Sequence, residues 1–276
     1  MDIDLKKAIE LKSPDFFTKL PGFLEPAVLW FLEKITHTKE IQTFFDLHGR
    51  SKNLEFINEV FKYLDFRCQV SDEDIRKIPP SGKLICVLNH NLGLLDGLSI
   101  LKTIGAVRRD VRIIVSDVLA PVENMADLFL FYDLYSSSMQ KENLKKIRSA
   151  LQEERAIIFF PSGSVAKLTI RGIREGSWRQ GPVLLARKYG VPVLPICVNS
   201  KNSFLYYLVT LINPDISTLL LSREMFKKRS HTISLKIGEP IAGVEFQRSD
   251  MDVAAQTELL KDHVLSMGKS HSSFQR

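Results

Sequence analysis

Cysteine is scarce in this chain, and the three residues present, Cys68, Cys86 and Cys197, stand far apart in apolar surroundings. An odd and dispersed set excludes a disulfide framework and offers no zinc-ligand spacing, so no metal is expected and a reducing compartment fits. Long hydrophobic runs are lacking as well. No stretch reaches the roughly 18 apolar residues of a membrane-crossing helix, and the start Met1-Asp2-Ile3-Asp4-Leu5-Lys6 lacks the basic-then-apolar layout of a secretory signal. The expectation is a cytoplasmic or peripheral protein without a transmembrane helix. There is no internal repeat and no low-complexity tract; only residues 269–276 are polar enough to read as a disordered tail. Charge of one sign is in slight excess, 38 Lys and Arg against 32 Asp and Glu, a net of +6, and no nucleic acid is expected as a partner.

What is present is an ordinary globular composition, 45% hydrophobic and 25% charged over 276 residues. Residues 1–80 read as helical: Leu24, Val28, Phe31, Leu32 and Ile35 recur at helical spacing behind Pro26, a residue favoured in a first turn. No clear strand pattern is seen there, and Pro79-Pro80-Ser81-Gly82 breaks the chain. Thereafter branched apolar runs at 83–88, 111–115, 156–160, 191–198 and 232–237 alternate with helical patterns at 142–153, 178–189 and 253–267. The expected fold class is α/β, a central, mostly parallel mixed sheet flanked by helices with a helical N-terminal extension. The expected organisation is a helical region over 1–80, an α/β domain over 81–245, and a C-terminal helix and polar tail over 246–276.

The run at 83–88 is followed by Asn89-His90-Asn91-Leu92-Gly93-Leu94-Leu95-Asp96-Gly97. On one continuous helix, positions six apart would lie roughly 240° apart around the axis, so a loop must bring His90 and Asp96 together. Gly93 supplies the backbone freedom for such a turn. Asp96 would then hold one ring nitrogen while the other faces a substrate, the arrangement of an oriented general base. The pair alone also fits an aspartate that caps its helix beside an ordinary loop histidine.

A second strand end runs into Phe160-Pro161-Ser162-Gly163-Ser164-Val165. Backbone N–H groups around Gly163, helped by Arg171, Arg174 or Arg179, are expected to hold an anionic headgroup or phosphate. Ser162 lacks the Gly-x-Ser-x-Gly elbow of a serine nucleophile. From Lys167 to Lys188 there are six basic residues and one acid, Glu175, a net of +5; this suits an acidic carrier protein, an anionic lipid or simply a solvated surface. The segments 23–32 and 204–212 are more apolar than one packing face requires, and each fits either a helix buried against the core or one lying in a bilayer surface.

Taken together these motifs resemble the lysophospholipid acyltransferase superfamily, which includes the glycerol-3-phosphate and 1-acylglycerol-3-phosphate acyltransferases. The set Asn89-His90 to Asp96-Gly97-Leu98, Phe159-Phe160-Pro161-Ser162-Gly163, Gly172-Ile173-Arg174 and Trp178-Arg179-Gln180-Gly181 is similar to its bacterial hemolysin-like branch, with lyso-ornithine-lipid O-acyltransferases. Further matching pieces are Pro192-Val193-Leu194-Pro195, Asn199-Ser200-Lys201-Asn202-Ser203, Arg223-Glu224-Met225 and Ile237-Gly238-Glu239-Pro240. The resemblance implies the glycerol-3-phosphate acyltransferase-like fold. It implies acyl transfer from an acyl carrier protein or coenzyme A thioester, with no bound cofactor, to the hydroxyl of a lyso-lipid such as a lyso-ornithine or lyso-glycine lipid. His90 and Asp96 would be catalytic, and Asn89, Gly93, Phe160, Pro161, Ser162, Gly163, Arg171, Arg174 and Arg179 would bind substrate. It implies a peripheral protein on the cytoplasmic face of the inner membrane. A non-catalytic lipid-binding member and a thioesterase are the alternatives.

Three departures stand out. Five residues rather than four separate His90 from Asp96, as in the hemolysin-like branch. Ser162 and Ser164 flank Gly163 where the superfamily carries a glutamate, so an acidic residue is missing from the second motif. The usual arginine-bearing motif is not evident in Leu130-Phe131-Tyr132-Asp133-Leu134-Tyr135. These departures weigh against glycerol phosphate as the acceptor.

Overall fold

The computed structural model describes residues 5–12, 15–116, 119–131, 137–212 and 214–269. Residues 132–135 of the arginine-motif region and the polar tail from 270 onward lie outside the described residues.

Among the described residues seven strands form one sheet. They are β1 (Arg67–Gln69), β2 (Leu84–Leu88), β3 (Val111–Val115), β4 (Phe129–Phe131), β5 (Ala156–Phe159), β8 (Val193–Asn199) and β9 (Thr232–Ile237), in the order β1-β9-β8-β2-β5-β3-β4. All pairings are parallel except β8 with β9, so the mixed, mostly parallel sheet is as expected. Two further strands, β6 (Lys167–Thr169) and β7 (Gly172–Arg174), form a separate antiparallel hairpin.

Why β2 sits at the centre follows from its sequence. All five residues of Leu84-Ile85-Cys86-Val87-Leu88 are buried, as a strand covered on both faces requires. Side chains alternate across the sheet. Leu84, Cys86 and Leu88 join a core with α4 (Asn53–Tyr63) and α6 (Leu94–Val107), which supply Ile57, Leu95 and Leu101 among others. Ile85 and Val87 join the core on the other face with α7 (Ser137–Gln152), α8 (Gly181–Tyr189) and α12 (Val253–Lys269), through Ile147, Val183 and Val264. The result is three layers, helix on sheet on helix.

The strands read at 83–88, 111–115, 156–160, 191–198 and 232–237 all form, with ends shifted by two residues at most. The expected absence of strand before residue 80 is corrected: β1 pairs in parallel with β9 at the sheet's edge. Its short, largely exposed Arg67-Cys68-Gln69 shows no apolar run to read. The N-terminal region thus contributes to the same core, through α4, as the chain that follows it.

A smaller core lies beside the main ones. Val165, Tyr206, Tyr207 and Leu220 gather there with Ile35 and Leu168. It joins α2 (Glu25–Thr36), α9 (Phe204–Ile212), α10 (Pro214–Lys227) and β6.

Candidate active site

Three parallel neighbours, β5, β2 and β8, present their C-terminal ends at one edge of the sheet. The chain leaves β2 for β3 on one side and returns in β8 on the other, the switch point at which open α/β sheets form their crevice. The loop after β2 carries His90, the loop after β5 carries Gly163, and the segment after β8 carries Asn202 and Ser203.

The His90 loop is organised around one oxygen. Asp96 is wholly buried, and its Oδ2 accepts from His90 Nδ1 at 2.9 Å, Asn91 N at 2.7 Å, Leu92 N at 2.7 Å and Gly93 N at 3.3 Å. Asp96 thus caps the helix and holds the imidazole at once, since Gly93 is the N-cap of α6 and His90 shares the capping oxygen. With a carboxylate as its partner, Nδ1 donates, which leaves Nε2 as the lone-pair nitrogen. Gly93 takes φ +79°, and a Cβ there would come within 2.9 Å of Leu221 Cδ2; the turn needs both the positive φ and the missing side chain. The five-residue spacing thus closes onto the histidine.

Each side of the loop is tied down. Asn89 donates from Nδ2 to Val198 O at 3.1 Å and accepts from Val198 N at 2.7 Å, fastening the end of β2 to β8. Its buried amide supports the loop and is spent on backbone. Asn91 Nδ2 donates to Val198 O at 3.0 Å, and Asn202 Nδ2 donates to Asn91 O at 3.0 Å. Behind Asn202, the buried Glu224 accepts from Ser203 N at 2.6 Å, Ser203 Oγ at 2.7 Å and Arg223 Nη1 at 2.9 Å. On the other side Ala166 N donates to His90 O at 2.7 Å, and the Phe160 ring stacks on the imidazole at 4.2 Å between centroids.

An acidic residue from further along the chain lies beside the second motif. Glu175 Oε1 and Oε2 each accept from His90 N at 3.2 Å, and Oε1 accepts from Trp178 Nε1 at 3.3 Å. The Ser162 hydroxyl lies beside it and also reaches Ser164 O at 2.9 Å. Burial pushes the Glu175 carboxyl above its usual range, against the pull of these hydrogen bonds and of His90. Sequence reading passed over Glu175, although it was the lone acid in a basic stretch.

The expected anion nest around Gly163 is corrected in part. Gly163 N already donates to Phe160 O at 2.9 Å, and the neighbouring His90 loop spends its amides on Asp96 and Glu175. What stands over the loop is Arg179: its backbone N donates to Pro161 O at 3.0 Å, and its guanidinium lies 3.4 Å from where a Cβ on Gly163 would sit. Gly163 takes φ +64° and its bare Cα admits the arginine. Arg171 and Arg174 are placed instead on the β6–β7 hairpin, where Arg174 Nε reaches Arg171 O at 3.3 Å. The three thiols play no part in the site. Burial pushes Cys86 up to about 12 and Cys68 and Cys197 up to about 11.

Comparison with known proteins places the whole chain in a family. An acyltransferase family model matches residues 7–272. A lyso-glycine lipid O-acyltransferase of Bacteroides thetaiotaomicron is 27% identical over 272 residues, covering 96% of this chain and 97% of that one. A second protein of that description, from Phocaeicola vulgatus, is 25% identical over 272 residues, covering 96% and 95%. Among solved structures, the 1-acyl-sn-glycerophosphate acyltransferase PlsC of Thermotoga maritima aligns with a TM-score of 0.49 at 18% identity, over 86% of this chain and 95% of that one.

Proposed function

The chain belongs to this acyltransferase family, and from that premise we propose that it moves a fatty acyl group from an acyl thioester to the hydroxyl of a lyso-lipid, a lyso-glycine lipid in the first instance. The observation that carries the reading is the His90 Nδ1 to Asp96 Oδ2 bond of 2.9 Å, which fixes the ring and leaves Nε2 as the nitrogen not engaged by Asp96. The names of the two relatives point to the acceptor.

In the proposed reaction His90 Nε2 takes the proton of the acceptor hydroxyl as that oxygen attacks the thioester carbonyl. Asp96 stabilises the imidazolium that forms. The tetrahedral intermediate then breaks its carbon–sulfur bond, and the departing thiolate takes the proton from Nε2. The products are an ester and a free thiol, with no covalent acyl-enzyme. Acyl carrier protein and coenzyme A are the two donors considered, and no bound cofactor is invoked. Glycine attached through its nitrogen keeps a carboxylate, and the partner proposed for it is Arg179, whose guanidinium stands over Gly163, as a charge-assisted pair.

The acceptor's chemistry calls for a membrane surface, and two helices support that reading. Phe23 and Leu24, ahead of α2, and Trp30 and Phe31 on it are exposed, as are Phe204, Leu205, Leu208 and Leu211 of α9. No helix among the described residues is long and apolar enough to cross a membrane, so the proposal is a peripheral protein, on the cytoplasmic face where thioester donors are found.

The test is to incubate the purified protein with acyl carrier protein- and coenzyme A-linked fatty acids and a panel of lyso-lipids, and to read products by mass spectrometry. A diacyl product that His90→Ala reduces about 10²- to 10⁴-fold supports the transferase and names its acceptor and donor. Lipid binding without turnover would replace it with a binding function. Free fatty acid released equally with and without acceptor would make it a thioesterase.

A further inference from the structure

The β6–β7 hairpin is built against the rules for a hairpin in water. Its register pairs Lys167 with Arg174, Leu168 with Ile173 and Thr169 with Gly172. Leu168 packs inward on the small core around Tyr206 and Tyr207. On the other face Lys167 and Arg174 stand directly opposite each other, a like-charge pair that destabilises a ladder. From Val165 to Arg174 there is no acidic residue, and Lys167, Arg171 and Arg174 form no ion pair among the described residues. At the turn, where small polar residues are the rule, stands Ile170, fully exposed.

β6 packs along α9, and α9 is turned inside out. Phe204, Leu208 and Leu211, at i, i+4 and i+7, share one face with Leu205 beside them, and that face is exposed. The polar atoms of Tyr206, Tyr207 and Thr210 are on the buried side. Lys201, exposed and basic, precedes the helix.

We propose that the β6–β7 hairpin and the outward face of α9 form one docking surface for an anionic bilayer, with Ile170 as the inserted tip and Lys167, Arg171 and Arg174 on the headgroups. The inference rests on the acceptor being a lipid, and it names the part of the protein that meets the membrane. An acidic carrier protein would match the cations but leaves the isoleucine tip and the phenylalanine-leucine face without a partner. A lipid interface supplies anionic headgroups and acyl chains together. The surface is also joined to the chemistry, because Ala166, the residue before β6, donates its N–H to His90 O. The base of the hairpin is thereby fastened to the loop that carries His90.

The experiment is flotation of the full chain with vesicles of phosphatidylcholine, with and without phosphatidylglycerol, beside Ile170→Asp and Lys167→Glu, each checked for an unchanged melting temperature. Expected is binding that needs phosphatidylglycerol and weakens with salt. Ile170→Asp should cut partition about tenfold or more, as loss of one buried aliphatic side chain predicts. Lys167→Glu should cut it about fivefold or more, the factor for one basic residue near an anionic surface. Folded Ile170→Asp that floats like the wild type overturns the proposal. So does loss of acyl carrier protein binding, or of self-association, in these variants with vesicle binding intact. Acyl transfer by the wild type to a detergent-dispersed lyso-lipid is measured separately. Vesicle binding without that transfer ends the proposed function and leaves the docking surface standing, and transfer without vesicle binding does the reverse.

Discussion

Asp96 does two jobs with one oxygen, and a conservative substitution separates them. Oδ2 takes all four hydrogen bonds, while Oδ1 has no partner among the described residues. In Asp96→Asn the amide oxygen can occupy the Oδ2 position and keep the loop, with the NH2 where Oδ1 now lies. What is lost is the negative charge that, in the proposed reaction, steadies the imidazolium. We expect a melting temperature close to the wild type's with acyl transfer down by about 100-fold or more; near-full activity would mean that the charge is not used. Glu175 offers a pH test. Burial holds its carboxyl above the ordinary 4.5, so the folded protein takes up this proton before the unfolded chain does. Stability from this group therefore rises as pH falls through the raised folded value toward 4.5, and is level below it. Glutamine has no such proton. The melting-temperature difference between wild type and Glu175→Gln should move in the wild type's favour from neutral pH down to about 4.5, and a difference that ignores pH would remove the buried-charge account.

At the scale of elements, what could be read from the sequence was what local pattern encodes. Of the five long apolar runs, those that became β2, β5 and β8 are buried along nearly their whole length and have no polar face to disguise them, while β3 and β9 keep partly exposed positions beside their buried ones. β1, β4, β6 and β7 are three residues each, too short for any alternation, and their pairing is decided by distant partners. The site divides in the same way. His90, Gly93 and Asp96 lie within one turn and their spacing carries the geometry. Glu175 reaches His90 N across 85 positions, and no motif around Gly163 announces it. The turn itself makes the element-scale prediction. Gly93→Ala must hold φ +79° with ψ −119°, a sparsely populated conformation that costs about 1–3 kcal/mol, and must also push Leu221 aside from 2.9 Å. Acyl transfer should fall about tenfold or more, with a lower melting temperature, because the three amides that gather on Asp96 move with the loop. Unchanged kcat with this variant folded would mean that the loop tolerates another path.

Across the whole molecule, the candidate site and a buried arginine brace sit at opposite ends of one sheet. The C-terminal strand ends carry the His90, Gly163 and Asn202 segments. The N-terminal ends are gathered by a single buried side chain, Arg108, which donates to Pro79 O at 3.1 Å, Gly82 O at 2.7 Å and Glu154 O at 2.9 Å, and pairs with Asp110 at 2.7 Å. These partners precede β2, β5 and β3, so one guanidinium closes the seam between three strands of the sheet. The pair also holds the Asp110 carboxyl below its usual range, chiefly through the hydrogen bond from Arg108. Arg108→Met keeps much of the stem's packing but leaves three carbonyls without their donor and an aspartate without its cation, a loss of about 3 kcal/mol. At about 2–4 °C per kcal/mol for a chain of this size, the melting temperature should drop by roughly 6–12 °C. Because no described hydrogen bond links Arg108 to the His90 loop, kcat measured well below that temperature should stay within about twofold of the wild type. His90→Ala should show the opposite pair of results, a melting temperature near the wild type's with transfer nearly abolished. Calorimetry beside initial rates for the two variants checks both. If Arg108→Met lost activity while fully folded, the two ends of the sheet would be coupled, and the catalytic loop would depend on the strand register that Arg108 holds.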